Sequence, residues 1–217
     1  MSADPQTVDV MEPGVRRRLS RADRRAQILR VAEQVFTERG YQGTSLEDIA
    51  ASAGVTRPLI YNYFADKDEL YLECLHDARA ELDAALVTAA SAHTQPRQML
   101  RAGMTAYFTF VQDRGKRWEM LFGGGIAVAG TVAARAEQLQ FETVEKIAAL
   151  IRTVVPALPD VTATAYAHTI SGAAQQLAKW WRHHPQVPLD DLVQYQLDVT
   201  WTGLEQIAAS TGTSEPG

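Results

Sequence analysis

Residues 44–67 read TSLEDIAASAGVTRPLIYNYFADK, and the punctuation of this stretch decides the fold. Ser45 precedes the first apolar residue and Asp48 follows three positions later, the pattern of an N-cap with a reciprocal partner. Leu46, Ile49, Ala50 and Ala53 recur at helical spacing and give one narrow apolar face. Gly54 supplies the left-handed position that stops a helix. A second helix is predicted over 57–64, with Thr56 as its cap and Pro58 in its first turn, where a missing N–H costs little. Ile60 and Phe64, four apart, turn toward the first helix. Arg57, Pro58, Leu59, Asn62 and Tyr63 then turn away, on a face with donors and apolar contacts but no carboxylate.

Two short helices joined by a tight turn make a helix-turn-helix, whose second helix enters the DNA major groove. Residues 24–70 further resemble the DNA-binding domain of the tetracycline-repressor (TetR) family of bacterial transcription regulators. The resemblance rests on Gly40-Tyr41, Thr44-Ser45, Asp48-Ile49-Ala50, Ala53-Gly54-Val55, Tyr61, Phe64 and the pair Lys67 and Leu70, and it covers about a quarter of the chain. Each feature alone is weak, whereas the ordered set is specific. At Tyr63 the chain departs from the histidine often found there, keeping a hydroxyl but changing its reach. The resemblance implies an all-α homodimer that reads the two half-sites of a palindromic operator on double-stranded DNA. It also implies a small-molecule effector in the C-terminal domain and a dimer interface formed by the last two long helices.

Charge agrees with a local DNA surface. The chain carries a net −5, yet residues 15–67 hold ten Arg and Lys against six Asp and Glu, while residues 68–217 hold eleven against seventeen. A basic unit on an acidic remainder suits a site-specific binder and argues against a general nucleic-acid coat. The triplet Arg16, Arg17, Arg18 and then Arg21, Arg24 and Arg25 read either as a solvated charge run or as an arm lying along phosphates. The absence of a long apolar run or a signal-like N-terminus predicts a cytoplasmic protein with no membrane span. The lone Cys74 falls on an apolar-rich helix and reads as a buried thiol.

The expected organisation is a disordered basic arm over 1–19, a three-helix DNA unit over 20–67, an effector-binding and dimerisation domain over 68–210 and a polar tail over 211–217. Apolar periodicity predicts helices over 20–39, 68–90, 96–113, 126–155, 161–183 and 189–209, with Thr94 capping the third of these. The segment from Leu100 to Phe122 holds more large apolar groups than one stripe can bury, so they line a cavity or face several neighbours. Met104, Tyr107, Phe108, Trp118, Phe122 and Trp181 are the candidate ligand-binding residues, and a filled aromatic core is the competing reading. The acidic domain leans toward a cationic amphipathic or neutral hydrophobic ligand. Gly123, Gly124 and Gly125 read as a helix break.

For DNA, Arg57 is the candidate base reader, since a guanidinium bonds bidentately to guanine, with Thr56, Pro58 and Asn62 beside it. Ser45, Tyr61, Tyr63 and Lys67 are assigned to phosphate and register. No pair among the five histidines has helical metal-site spacing, and no nucleophile elbow, phosphate loop or dinucleotide fingerprint occurs. No cofactor, metal or catalytic residue is therefore expected, and the chain is read as a ligand-responsive repressor rather than an enzyme. The alternative is a small-molecule-binding protein or enzyme that has borrowed a helix-turn-helix domain. An architectural DNA binder is a third reading, which the acidic remainder disfavours.

Overall fold

A computed structural model describes residues 19–123 and 131–212, which form nine α-helices and no strand. Helix α1 (Arg21–Arg39) starts where the Ser20 hydroxyl accepts from the Asp23 amide at 3.0 Å, and it buries Ile28, Ala32, Val35 and Phe36. Helix α2 (Leu46–Ala53) has the complete capping box: the Asp48 amide donates to Ser45 Oγ at 3.1 Å, and the Ser45 amide donates to Asp48 Oδ2 at 2.9 Å. It stops at Gly54, whose φ of 63° and ψ of 36° are left-handed. Helix α3 (Arg57–Tyr61) follows and buries Ile60. The long helix α4 (Lys67–Ser91), capped by Asp66, closes this unit with Leu70, Tyr71, Cys74 and Leu75, then runs on into a second layer through Ala78 and Leu82.

That second layer contains α5 (Pro96–Asp113), α6 (Gly115–Phe122), α7 (Thr131–Val154), α8 (Asp160–Trp181) and α9 (Leu189–Gly212). One apolar core is continuous from Ile28 through α4 to Trp118, Trp181 and Leu197, so the N-terminal unit and the helical layer share packing rather than sitting as beads. A smaller core joins α7 to α8 through Val144, Ala148, Ile151, Ala163, Ala167 and Ile170. No helix among the described residues is long and apolar enough to cross a membrane.

Several expectations are corrected. Helix α3 ends at Tyr61, not at residue 64. The amides of Tyr63 and Phe64 both donate to the Ile60 carbonyl, at 2.9 and 3.0 Å, and the chain turns so that Phe64 is buried to 1% before α4 begins. Thr56 occupies the cap position of α3 but its side chain makes no capping bond, and the cap position of α5 belongs to Gln95 rather than Thr94. Residues 115–122 form a helix that apolar spacing alone does not assign. Helix α9 extends past residue 209 to Gly212. The arm carrying Arg16, Arg17 and Arg18, the break at Gly124 and Gly125, and the predicted start at 126 lie outside the described residues. Cys74 is buried with Sγ 3.7 Å from the Leu29 carbonyl, and burial pushes its thiol well above the ordinary range, so it is poorly nucleophilic.

A methyl group added at Gly54 meets nothing within 4 Å, so replacement there tests backbone conformation alone. Gly54→Ala lowers stability by about 1–2 kcal/mol, read from the urea midpoint. Gly103→Ala, inside α5 and equally unobstructed, raises stability by about 0.5–1 kcal/mol and moves the urea midpoint up.

Candidate nucleic-acid interface and ligand cavity

The α2–α3 turn presents its candidate residues in two groups. Ser45 is committed to the capping box, and Asp48 also receives Arg39 Nη1 at 2.7 Å, so hydrogen bonds from Ser45 and the Arg39 charge hold its carboxyl below the usual range. Thr56, Arg57, Pro58, Tyr61 and Asn62 are exposed, and Tyr63 is half-buried with the Arg21 guanidinium over its ring. Arg57 does not project freely. Its Nη2 donates to the Tyr61 hydroxyl at 2.8 Å and its Nη1 pairs with Glu47 of α2. The outward surface therefore lacks a carboxylate only within α3 itself, because the turn brings Glu47 alongside. Both partners are half exposed, and such pairs are worth about 0–1 kcal/mol, so a base or phosphate can replace the carboxylate at small cost.

Lys67 is placed differently. Its Nζ donates to the carbonyls of Tyr41 and Thr44, both at 3.1 Å, and lies 4.1 Å from the centre of the Tyr41 ring. The Tyr41 hydroxyl in turn bonds Asp68. Lys67 thus ties the α1–α2 turn to the start of α4, a structural task that it performs without any ligand.

Helices α4 to α9 enclose a cavity of about 400 Å³, within the range typical of small-molecule sites. Its walls are mostly aliphatic and aromatic, with Leu86, Met99, Leu100, Ile147 and Trp201 among them. Of the candidate ligand residues, Met104, Tyr107 and Phe122 line it, whereas Phe108, Trp118 and Trp181 do not. Those three pack behind the wall at 0%, 1% and 7% exposure, because the crowded faces of α5, α6 and α8 divide between cavity and core. Trp118 still acts on the cavity indirectly, since its indole N–H donates to the Tyr107 hydroxyl at 2.8 Å and fixes that ring. Apolar periodicity missed the buried polar groups Arg79, Asp83 and Thr143, whereas Gln196 falls on the apolar stripe of the last helix. Asp83 accepts the Thr143 hydroxyl at 2.6 Å and pairs with Lys146, so this buried carboxylate is already matched, and Glu205 of α9 is the carboxylate in the cavity lining.

Helix α6 stands between this cavity and α1. Its last residue, Phe122, is in the cavity wall, and its Arg117 meets Glu33 of α1 at 3.0 Å together with Asp77 and Glu81 of α4. Burial raises the Glu33 carboxyl above its ordinary range while Arg117 pulls the other way. On the opposite side, Arg182 after α8 pairs with Glu119 and donates to the Gly115 carbonyl at 3.3 Å.

Helices α8 and α9 carry an exposed face of a different kind. Between Asp160 and Lys179, α8 has no charged residue, and its exposed positions include Val161, Ala165, Gly172, Ala173 and Trp180. Beside them α9 exposes Tyr195 at 52% and Val199 at 82%. Among the described residues, no three His, Cys, Asp or Glu side chains gather as metal ligands.

Residues 28–74 match the family described as bacterial regulatory proteins, tetR family, and residues 96–203 match the tetracyclin repressor-like C-terminal domain. The HTH-type transcriptional activator FasR of Mycolicibacterium smegmatis is 28% identical over 191 residues, 88% of this chain and 87% of its own. The HTH-type transcriptional regulator EthR of Mycobacterium tuberculosis is 36% identical over 88 residues, which span 40% of this chain and 41% of that relative. A crystal structure of a TetR-like transcriptional regulator from Rhodococcus sp. RHA1 superposes with a TM-score of 0.70 at 27% identity, covering 87% of this chain and 99% of that one.

Arg117→Ala leaves Glu33, only 16% exposed at its side chain, without its guanidinium. Stability falls by about 2 kcal/mol, less than the 3–5 kcal/mol typical of a wholly buried pair. Adding Glu33→Gln to that variant costs little more, and a double-mutant cycle in urea measures the difference.

Proposed function

The chain belongs to the tetR family of bacterial regulatory proteins and is a DNA-binding transcription regulator, and from that premise we propose a ligand-responsive repressor that binds a palindromic operator as a homodimer. The observation that carries the effector half is the apolar cavity whose wall ends in Phe122 of α6, the helix ion-paired to α1 through Arg117. A ligand acts there by binding more tightly to one of two spacings of the DNA units.

The homodimer is supported by the α8 and α9 face. A helix that presents five turns of uncharged, largely small side chains to water gains by closing against a copy of itself, and doubling α8 and α9 gives a four-helix bundle. The two recognition helices then enter successive major grooves about 34–36 Å apart, one turn of the duplex. Arg57 reads a base after leaving Glu47, Thr56, Pro58 and Asn62 flank it, and Tyr61 and Tyr63 hold phosphates. Ser45 and Lys67 contribute by fixing the turn, and their outer edges face the same phosphates.

A second reading, activation, is favoured by the activator name of FasR, a relative similar over most of its length. Footprinting on DNA beside the protein's own gene, with a transcription assay on the same fragment, separates the two: a footprint over the promoter with falling transcript supports repression, and one upstream with rising transcript supports activation. No footprint at any site removes both.

On the operator so found, Arg57→Ala weakens binding by about 1–3 kcal/mol and relaxes one base position, while affinity for random DNA hardly changes. Equal losses on both DNAs reject Arg57 as a base reader. Gly172→Glu places a charge on the bare α8 face and moves sedimentation from dimer to monomer, with operator binding lost in parallel. A variant that remains dimeric shifts the interface elsewhere.

A further inference from the structure

The cavity wall is mostly apolar, interrupted by Arg79, Thr143, Ser171, Gln196 and Glu205, and two of these, Arg79 and Gln196, are buried and incompletely paired. Arg79, 3% exposed on α4, donates from Nη1 to the Thr143 hydroxyl at 3.1 Å. Its Nε and Nη2 have no hydrogen-bond partner among the described residues. The guanidinium lies 4.8 Å from the centre of the Phe122 ring, and Asp83, the nearby carboxylate, is already taken by Thr143 and Lys146. A buried cation with two idle donors is an unfavourable arrangement unless something supplies acceptors.

The geometry points to Arg79 as the polar anchor of the effector, which is an apolar chain ending in a carboxylate or an ester-type carbonyl whose oxygen replaces the Phe122 ring beside the guanidinium. This rests on the reading of the cavity as the effector site. The guanidinium fork matches a planar oxygen-bearing group and rejects a cation. The aliphatic walls suit a hydrocarbon chain and, away from Arg79, give a sugar or a small inorganic anion few partners. On α9, Gln196 donates to the Ile170 carbonyl at 3.1 Å and leaves its own oxygen unpaired, so it repels a second oxyanion and the acidic end belongs at Arg79. Moving Phe122 moves the last residue of α6, the helix that Arg117 joins to α1.

The test uses the purified full-length protein with N-phenyl-1-naphthylamine, a neutral apolar fluorophore, bound in the cavity and displaced by dodecanoate, dodecanoyl-CoA or dodecylammonium below their micelle concentrations. At least one of the two oxygen-ended compounds competes about tenfold or more better than dodecylammonium, and the stronger of them tells carboxylate from carbonyl. Arg79→Met erases that preference and keeps the fluorophore. Equal competition by dodecylammonium in the unmodified protein overturns the anchor without any variant having to fold. Retention of the preference in Arg79→Met overturns it as well. Both results leave the cavity reading standing, whereas failure of the fluorophore and of all three chains to bind removes the cavity reading together with the anchor.

Discussion

The guanidinium of Arg117 is where the parts of this protein meet. It is mostly buried, and it faces three carboxylates, from Glu33 on α1 and from Asp77 and Glu81 on α4. A single cation shared among several anions orders fewer side chains per contact than separate pairs do, and its partial burial protects it from salt. Because α6 carries this residue, the position of α1 relative to the helical layer depends on where α6 lies. Arg182 constrains α6 from the other side through Glu119 and the Gly115 carbonyl. A short helix fixed at both flanks moves as a unit or not at all.

Helix α4 gives this arrangement its reach. Its first turns close the core around Ile28 and Phe64, and its later turns carry Arg79, Leu82 and Leu86 to the cavity. The continuous apolar core means that no soft linker lies between the two regions, so strain passes through packed side chains that do not compress. Lys67 and Tyr41 fasten the lower end of the same helix to the turn before α2. The molecule therefore has a long member running from turn to cavity and a short one, α6, ion-paired beside it.

Much of this was legible in residue order. The capping box at Ser45, the stop at Gly54 and the restart around Pro58 are local chemistry, and local chemistry survives into the fold. The end of α3 was not legible, because Phe64 is drawn into a core assembled from α1 and α4, and periodicity within 57–64 carries no trace of those partners. The same limit explains the aromatic candidates. Met104 and Phe108 both read as apolar positions on one helix, but only the arrangement of six helices decides that one meets the cavity and the other the core. Charge was the harder case: Arg79 and Asp83 look like ordinary solvated positions until the neighbouring helices close over them, and Glu47 reaches Arg57 from a different helix.

In the base-reading role proposed for it, the parked state of Arg57 bears on how the protein searches a genome. With its charge already matched by Glu47, this arginine adds little to the general pull of the duplex. On that proposed reading, transfer to DNA frees a cation from the phosphates while another is drawn to the vacated Glu47, so the contact contributes little net ion release. Sliding along unrelated sequence is then governed by the remaining basic groups, and the commitment of Arg57 is set by the shape and hydrogen bonding of the target rather than by the salt of the cell.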